Sequence, residues 1–368
     1  MDPLAAPLVD LARSLIDIDS TSGGEAAVTT WLARDLRERG YQVTEQPVVD
    51  DRVNVIATVG ATEPETVYST HIDCVPPYFP SRLEGDTLYG RGACDAKGIL
   101  AAQIMALDRL RESGENRVGL LVVVGEENGS HGARAANRLS NRSRYLINGE
   151  PTDNRLGAAT KGAYRVRLSA TGRAVHSAYP ELGDSAIEKL LDALVALRNL
   201  DLPVDPVLGA TTYTVGVLSG GVAPNVVPPV AEADVNFRTV EPAARVRERL
   251  EATLPGSVSI DDVMIVPPIR LTTLPAFETA PFSFTTDIPF LTSWGAPLLV
   301  GPGSIHVAHT AEEHVKIDEL VGEAGAGSAG RRELTPARLL ARQSSPAAPI
   351  AAQPGLTRNL RRSYGADS

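Results

Sequence analysis

The chain has only two cysteines, Cys74 and Cys94, among 368 residues. Two are too few for a disulfide framework, and they suit a reducing compartment. No apolar run reaches the roughly 20 residues that a transmembrane helix requires. The opening Met1-Asp2-Pro3 has no basic region followed by an apolar one, so no signal peptide is expected. Basic charge is in deficit: 35 Lys and Arg against 45 Asp and Glu leave a net charge of −10. That disfavours nonspecific binding to nucleic acid or an anionic membrane. With 43% hydrophobic and 22% charged residues, the composition is that of an ordinary globular protein. The length predicts two or three domains. The expectation is a soluble, acidic, cytoplasmic protein.

Periodicity supplies an order of elements. Pro3–Asp17 has apolar residues at helical spacing (Leu8, Leu11, Leu15, Ile16). Ser22-x-x-Glu25 has the form of a capping box opening a helix that runs to Arg39. Strands are predicted at Tyr41–Gln46, Val53–Val59 and Val67–Thr70, then a helix at Lys97–Arg111. Val118–Val124 is the continuous apolar run of a buried strand, and Tyr145–Ile147 is a further short one. This alternation predicts an α/β domain with a largely parallel sheet, whose ligands bind at the carboxyl ends of the strands. From Ala163 the pattern changes. A strand at Tyr164–Ala170 precedes a helix at Asp184–Leu200 and strands at Thr211–Leu218 and Ala231–Arg238. A helix at Pro242–Leu254 and a strand at Ser257–Val266 follow. The order β-α-β-β-α-β is that of a ferredoxin-like α+β unit. We therefore expect a first domain in two parts, 1–162 and 268–320, interrupted by a second at 163–267. Leu298–Val300 and a helix-like Glu312–Leu320 belong to the returning part. The final 48 residues, from Val321, hold seven arginines, no lysine and three acidic residues; their net +4 leaves the rest at −14. Rich in Ala, Gly, Ser and Pro, they are expected to form a disordered tail.

The chemistry lies in five strings: Ser69-Thr70-His71-Ile72-Asp73-Cys74, Gly90-Arg91-Gly92-Ala93-Cys94-Asp95, Gly125-Glu126-Glu127-Asn128-Gly129, Asn148-Gly149-Glu150-Pro151-Thr152, and Gly301-Pro302-Gly303-Ser304 followed by Ala308-His309-Thr310. Imidazole and carboxylate are the groups zinc takes when thiolates are absent. Any one of these residues alone would be an ordinary surface or core group. Two metals sharing a bridging carboxylate need about five ligands, which His71, Asp73, Asp95, Glu126, Glu127, Glu150 and His309 can supply with two carboxylates to spare. Cys74 and Cys94 read as small buried filler, and Arg91 and Lys97 as supports of the loop around Asp95.

Together the strings resemble the M20 metallopeptidases and deacylases over about residues 5–320. That family includes acetylornithine deacetylase, succinyl-diaminopimelate desuccinylase, aminoacylases and glutamate carboxypeptidase. The resemblance implies a zinc-peptidase-like catalytic domain interrupted by a lid or dimerisation domain, with two zinc ions per subunit that cobalt can replace. By resemblance, His71, Asp95 and Glu150 hold one ion, and Asp95, Glu127 and His309 the other, with Asp95 bridging. Asp73 would accept the other ring N–H of His71, and Glu126 would be the general base. His176, in Gly172-Arg173-Ala174-Val175-His176-Ser177, would reach the partner subunit's site and stabilise an oxyanion, which implies a homodimer. Asn225 and Arg238 would bind the substrate's acyl or carboxylate groups, and the loop holding Gly303 and Ser304 would offer N–H groups to a carboxylate. Glu150 within Gly-Glu-Pro-Thr resembles the acetylornithine deacetylase branch, so removal of an acyl group from an N-acyl amino acid is the leading expectation. A carboxypeptidase or dipeptidase is the alternative, since the same site cleaves any suitably presented amide. A non-catalytic binding relative is a third reading, although no ligand or base is missing. The family's long helix after Leu320 is replaced here by the Gly- and Ala-rich stretch Gly322–Arg332.

Overall fold

A computed structural model describes residues 4–323, apart from 61, 62 and 276. Helices α1 (Ala5–Ile16) and α2 (Ala26–Glu38) come first, then strands β1 (Gln42–Val49), β2 (Arg52–Thr58) and β3 (Thr66–His71). Helix α3 (Lys97–Glu112) leads to β4 (Val118–Val123), short α4 (His131–Ala136) and β5 (Tyr145–Asn148). A second set follows: β6 (Gly162–Thr171), α5 (Ala186–Leu197), β7 (Thr212–Gly220), β8 (Val230–Thr239), α6 (Ala243–Thr253) and β9 (Val258–Val266). The chain then returns through β10 (Ala296–Leu299) and α7 (Ile317–Glu323).

The main sheet has the order β1-β2-β4-β3-β5-β10. Its last four strands are parallel, and the β1–β2 hairpin joins them antiparallel through β4. Side chains alternate across the sheet with period two. Tyr68, Leu120, Val122 and Ile147 share a core with Leu8, Leu15, Leu32, Leu100 and Leu107 of α1, α2 and α3. Val67, Leu121, Val123 and Leu146 pack on the other face against Ala133, Ala136 and Trp294. Both faces are covered, which is why β4 reads as an unbroken apolar run. Because β3, β4, β5 and β10 run the same way, the segments after them meet at one edge. That edge carries His71 at the end of β3, and the following segments carry Glu126 and Glu127, Glu150, and the loop leading to His309.

The inserted sheet has the order β7-β8-β6-β9 and is antiparallel throughout. This is the ferredoxin-like arrangement expected from the element order. Tyr164, Val166, Leu168, Val235 and Phe237 pack on Leu190, Leu197, Val246 and Leu250 of α5 and α6. The alternate residues, among them Arg165, Arg167, Asp234, Asn236 and Arg238, form the face without helices.

Three local expectations need correction. Helix α2 has Glu25 at its N-cap position with no side-chain cap. The hydroxyl of Ser22 donates instead to Asp73 Oδ2 at 2.8 Å, and Glu25 Oε2 accepts from the N–H of Gly23 at 2.9 Å. A buried carboxylate has outcompeted the capping box for Ser22. The stretch 312–320 is not one helix: His314–Lys316 is a strand pairing with Thr87–Tyr89, and the helix begins only at Ile317. Residues 321–323, expected in the tail, belong to α7, which runs to Glu323; the rest of that stretch, with its expected disorder, lies outside the described residues.

Candidate functional site

Local geometry places each group. His71 is the last residue of β3, and its Nδ1 lies 3.0 Å from the backbone carbonyl of Asp73, so a proton there is held and Nε2 faces inward. Nε2 lies 2.9 Å from Asp95 Oδ1 and 3.9 Å from Glu150 Oε2. On the other side of Asp95, Oδ2 lies 3.2 Å from His309 Nε2, which is 2.9 Å from Glu127 Oε1. Asp95 thus stands between two imidazoles. His71, Asp95 and Glu127 can each aim one donor atom into a space where those atoms lie within 4.8 Å of one another. His309 takes a left-handed backbone conformation, φ 63°, that a non-glycine residue adopts only when its surroundings enforce it.

The Asp73 carboxylate does a different task from the one expected. It lies 3.6 Å from His71 Nδ1, beyond hydrogen-bond range. It accepts the backbone N–H of Glu126 at 3.0 Å and of Glu127 at 3.2 Å, besides the Ser22 hydroxyl. Asp73 therefore fixes the turn that presents the two glutamates, while its backbone carbonyl orients the histidine.

The site's electrostatics are those of crowded, desolvated carboxylates. Burial raises Glu126 well above the ordinary carboxylate range, and the nearby charge of Asp287 adds to it. Burial also raises Glu150 and Glu127. Burial works the same way on Asp95, but its bonds to His309 and His71 win and hold it low. His309 is pushed up to about 10 by Asp95 and Glu127. Burial would lower His71, yet Asp73 and Asp95 raise it. Glu150 Oε1 is buried without a hydrogen-bond partner. A buried oxygen is costly to leave unsatisfied, so the arrangement fits cations bound among these groups.

Two further residues escaped the sequence reading. Glu313 is fully buried. Its Oε1 accepts the N–H groups of Gly92, Cys94 and Asp95 at 2.9, 3.2 and 3.0 Å, and its Oε2 pairs with Arg91 Nη1 at 2.5 Å. Arg91 thus supports the Asp95 loop as expected, but through this glutamate. Lys97 supports it by donating to the Ile18 carbonyl at 2.6 Å. Gly98 closes the turn, since a Cβ there would meet the Ala93 carbonyl oxygen at 2.1 Å. Asp287 is also buried, with one oxygen unpartnered, and burial pushes its carboxyl up to about 6. Glu313 had one faint signal, the acidic pair three and four residues after His309; Asp287 had none.

The remaining expected residues lie outside the cluster. His176 is exposed on the inserted domain, its Nδ1 accepting from the N–H of Ala178 at 3.1 Å. Asn225 is exposed beside it, its carbonyl accepting from the N–H of Ser177 at 3.0 Å. Arg238 is half-buried on the helix-free face, within electrostatic reach of Glu126. Gly303 and Ser304 border the Asp95 loop. The thiol of Cys94 donates to the Ser304 carbonyl at 3.3 Å, and a Cβ at Gly303 would meet that sulfur at 2.7 Å. Both cysteines are buried, and burial pushes the Cys74 thiol up to about 12, in keeping with filler.

Comparison with known proteins agrees with this geometry. Residues 158–254 match the model of the peptidase dimerisation domain. A peptidase M20 domain-containing protein of Schizosaccharomyces pombe is 38% identical over 329 residues, covering 86% of this chain and 82% of its own. The chain belongs to the peptidase M20 family. A probable carboxypeptidase of Aspergillus clavatus is 36% identical, over 86% of this chain and 80% of its own. Among solved structures, a tripeptidase of Staphylococcus aureus superposes with a TM-score of 0.75 at 20% identity, covering 92% of this chain and 99% of its own. A dinuclear metal-binding M20 peptidase of Bacillus subtilis superposes with a TM-score of 0.64 at 17% identity, covering 87% and 95%. As an M20 member the chain is a metal-dependent hydrolase of amide bonds. Among the described residues, no helix is long and apolar enough to cross a membrane.

Proposed function

We propose that this M20 protein is a dinuclear metallo-carboxypeptidase that removes the C-terminal residue of short peptides and works as a homodimer. One observation carries the site assignment: the carboxylate of Asp95 lies between His71 and His309, at 2.9 and 3.2 Å, beside the Glu126-Glu127 pair. His71, Asp95 and Glu150 would hold one ion, and Asp95, Glu127 and His309 the other. The imidazole and carboxylate donors suit zinc, with cobalt as a substitute. Bound there, the metals supply a water acidified towards neutrality and polarise the scissile carbonyl.

The chain's own residues do the rest. Glu126 takes no part in holding the ions; it accepts a proton from the attacking water and passes it to the departing amine. Asp73 keeps Glu126 and Glu127 in place by accepting both their N–H groups. Arg238 offers a planar guanidinium to the substrate's terminal carboxylate. His176, exposed and far along the inserted domain, would act on the partner subunit's site, which the dimerisation-domain match supports.

The names of the relatives favour peptides over N-acetylornithine, so the carboxypeptidase alternative replaces the acetylornithine deacetylase reading as the leading one. The deciding experiment measures amine release from N-acetyl dipeptides and from N-acetylornithine, with zinc or cobalt supplied and a Glu126→Gln control. Faster turnover of N-acetylornithine than of every peptide would restore the deacylase.

A further inference from the structure

The helix-free face of the inserted sheet carries more positive charge than a single terminal carboxylate uses. A cleft of about 500 Å³ there is lined by Arg165, Asn236 and Arg238, with Thr212, Thr214 and Tyr213 along its edge strand. The strand register places Arg165 opposite Asn236, and Arg238 one row nearer the catalytic sheet, opposite Ala163. The two arginines are therefore diagonal neighbours on adjacent strands, within reach of one another's long side chains. Neither makes an ion pair among the described residues. The acidic residue of the cleft, Asp234, is already taken by Arg167 at 2.8 and 3.0 Å. Lys161 adds a third cation nearby, its ammonium donating to the Ala210 carbonyl at 2.6 Å.

These groups repel one another, and the charges of Glu126 and Asp234 relieve them only in part. Burial holds the Arg238 guanidinium below its ordinary value, and the charge of Arg165 lowers it further. Lys161 is lowered by burial and then by Arg238. The charge of Glu126 reaches Arg238 and raises it in part. The amide oxygen of Asn236, opposite Arg165 and two residues before Arg238 on the same strand, is buried without a partner. Two neighbouring guanidiniums without an ion pair among the described residues, in one cleft, describe a subsite for an anionic ligand larger than one carboxylate.

We infer that Arg165 and Arg238 form a two-carboxylate subsite that selects peptides ending in an acidic residue. Arg238 takes the terminal carboxylate, and Arg165 takes the side-chain carboxylate of a C-terminal Glu or Asp. The inference rests on the carboxypeptidase reading and narrows it to a substrate class.

The test compares N-acetyl-alanyl-glutamate with its glutamine and leucine counterparts on the metal-loaded dimer. The wild type should hydrolyse the glutamate peptide with a kcat/KM about 10-fold or more above that of the glutamine peptide, the range of one charged hydrogen-bonded contact. Arg165→Gln should lower kcat/KM for the glutamate peptide at least about 10-fold more than for the glutamine peptide, and Arg165→Lys should restore part of that preference. Equal rates on the two peptides in the wild type would overturn the subsite. Equal losses on both in Arg165→Gln would do the same, by making Arg165 a structural residue. A change of oligomeric state in Arg165→Gln without a change in the glutamate-to-glutamine ratio would also overturn it, by making Arg165 an interface residue. Calorimetry with free glutamate and glutamine on metal-loaded Glu126→Gln separates this inference from the reading beneath it. If no peptide is hydrolysed, the carboxypeptidase reading falls, and the subsite stands or falls on whether glutamate binds more tightly than glutamine.

Discussion

Glu313 accepts the backbone N–H of Asp95 at 3.0 Å, across 218 residues of chain. The same oxygen also holds the N–H groups of Gly92 and Cys94, so one side chain sets the loop on which Asp95 stands. Replacing Glu313 by Ala would strand a buried Arg91 and three N–H groups. Breaking a buried pair in this way costs about 3–5 kcal/mol. Glu313→Ala should lose that much stability in urea unfolding and bind metal more weakly than the wild type. A loss below about 1 kcal/mol, as for a surface pair, would refute the anchoring role.

Glu126→Gln keeps the size of the side chain and removes its basicity. Turnover should fall by roughly 10²–10⁴, while metal content, measured by elemental analysis, stays at the wild-type level. Loss of metal together with activity would mean that Glu126 is a ligand.

Metal affinity should weaken as the pH falls. In the metal-free chain Asp95 and Glu127 push His309 up to about 10, so it holds a proton at neutral pH, and burial raises the carboxyls of Glu127 and Glu150, so they take up protons more readily as the pH falls. Ions must displace those on the ligands, releasing roughly one proton or more per chain. Calorimetric titration with zinc in buffers of different ionisation heat measures this directly; a heat independent of buffer would contradict it.

Tyr41 supplies a stability effect remote from the site. Its hydroxyl donates to Asp108 Oδ1 at 2.8 Å, and burial, then the charge of Asp108, raises it above its ordinary 10.0. A raised pKa means that the native state keeps a proton the unfolded chain gives up. Its contribution is complete below pH 10 and declines as the pH rises above it, by up to about 1.4 kcal/mol per pH unit. Urea unfolding from pH 8 to 11 should show a shallower alkaline decline in Tyr41→Phe. Parallel profiles would rule the contribution out.

The proposed role of His176 in its partner's site can be read from mixed dimers. Coexpressed Glu126→Gln and His176→Ala chains, each nearly inactive alone, should regain roughly a quarter of wild-type activity, because half the dimers contain one complete site of two. No recovery in verified mixed dimers would place His176 in its own subunit's site.

Much of this protein was legible without coordinates, because the information is local. Period-two alternation at 164–170 and 231–238 and helical spacing in α1, α3, α5 and α6 depend on neighbours a few residues apart. They located these elements to within a few residues and implied the ferredoxin-like order of the insert. The strings around His71, Asp95, Glu126, Glu150 and His309 are likewise short, and each follows or borders a strand end. What only the tertiary structure decided are competitions between distant groups. Ser22 has the sequence of a cap, but Asp73, 51 residues away, takes its hydroxyl. Asp73 has the position of a histidine partner, but the N–H groups of Glu126 and Glu127 take its carboxylate. Glu313 and Asp287 carry no local string, since their roles arise from burial beside groups far along the chain. Arg165 and Arg238 are ordinary strand arginines until the register of β6 and β8 makes them neighbours, with no ion pair to either among the described residues. A sequence specifies which groups each segment brings; which partner wins a given hydrogen bond or charge is settled by distance and desolvation, and those exist only once the chain has folded.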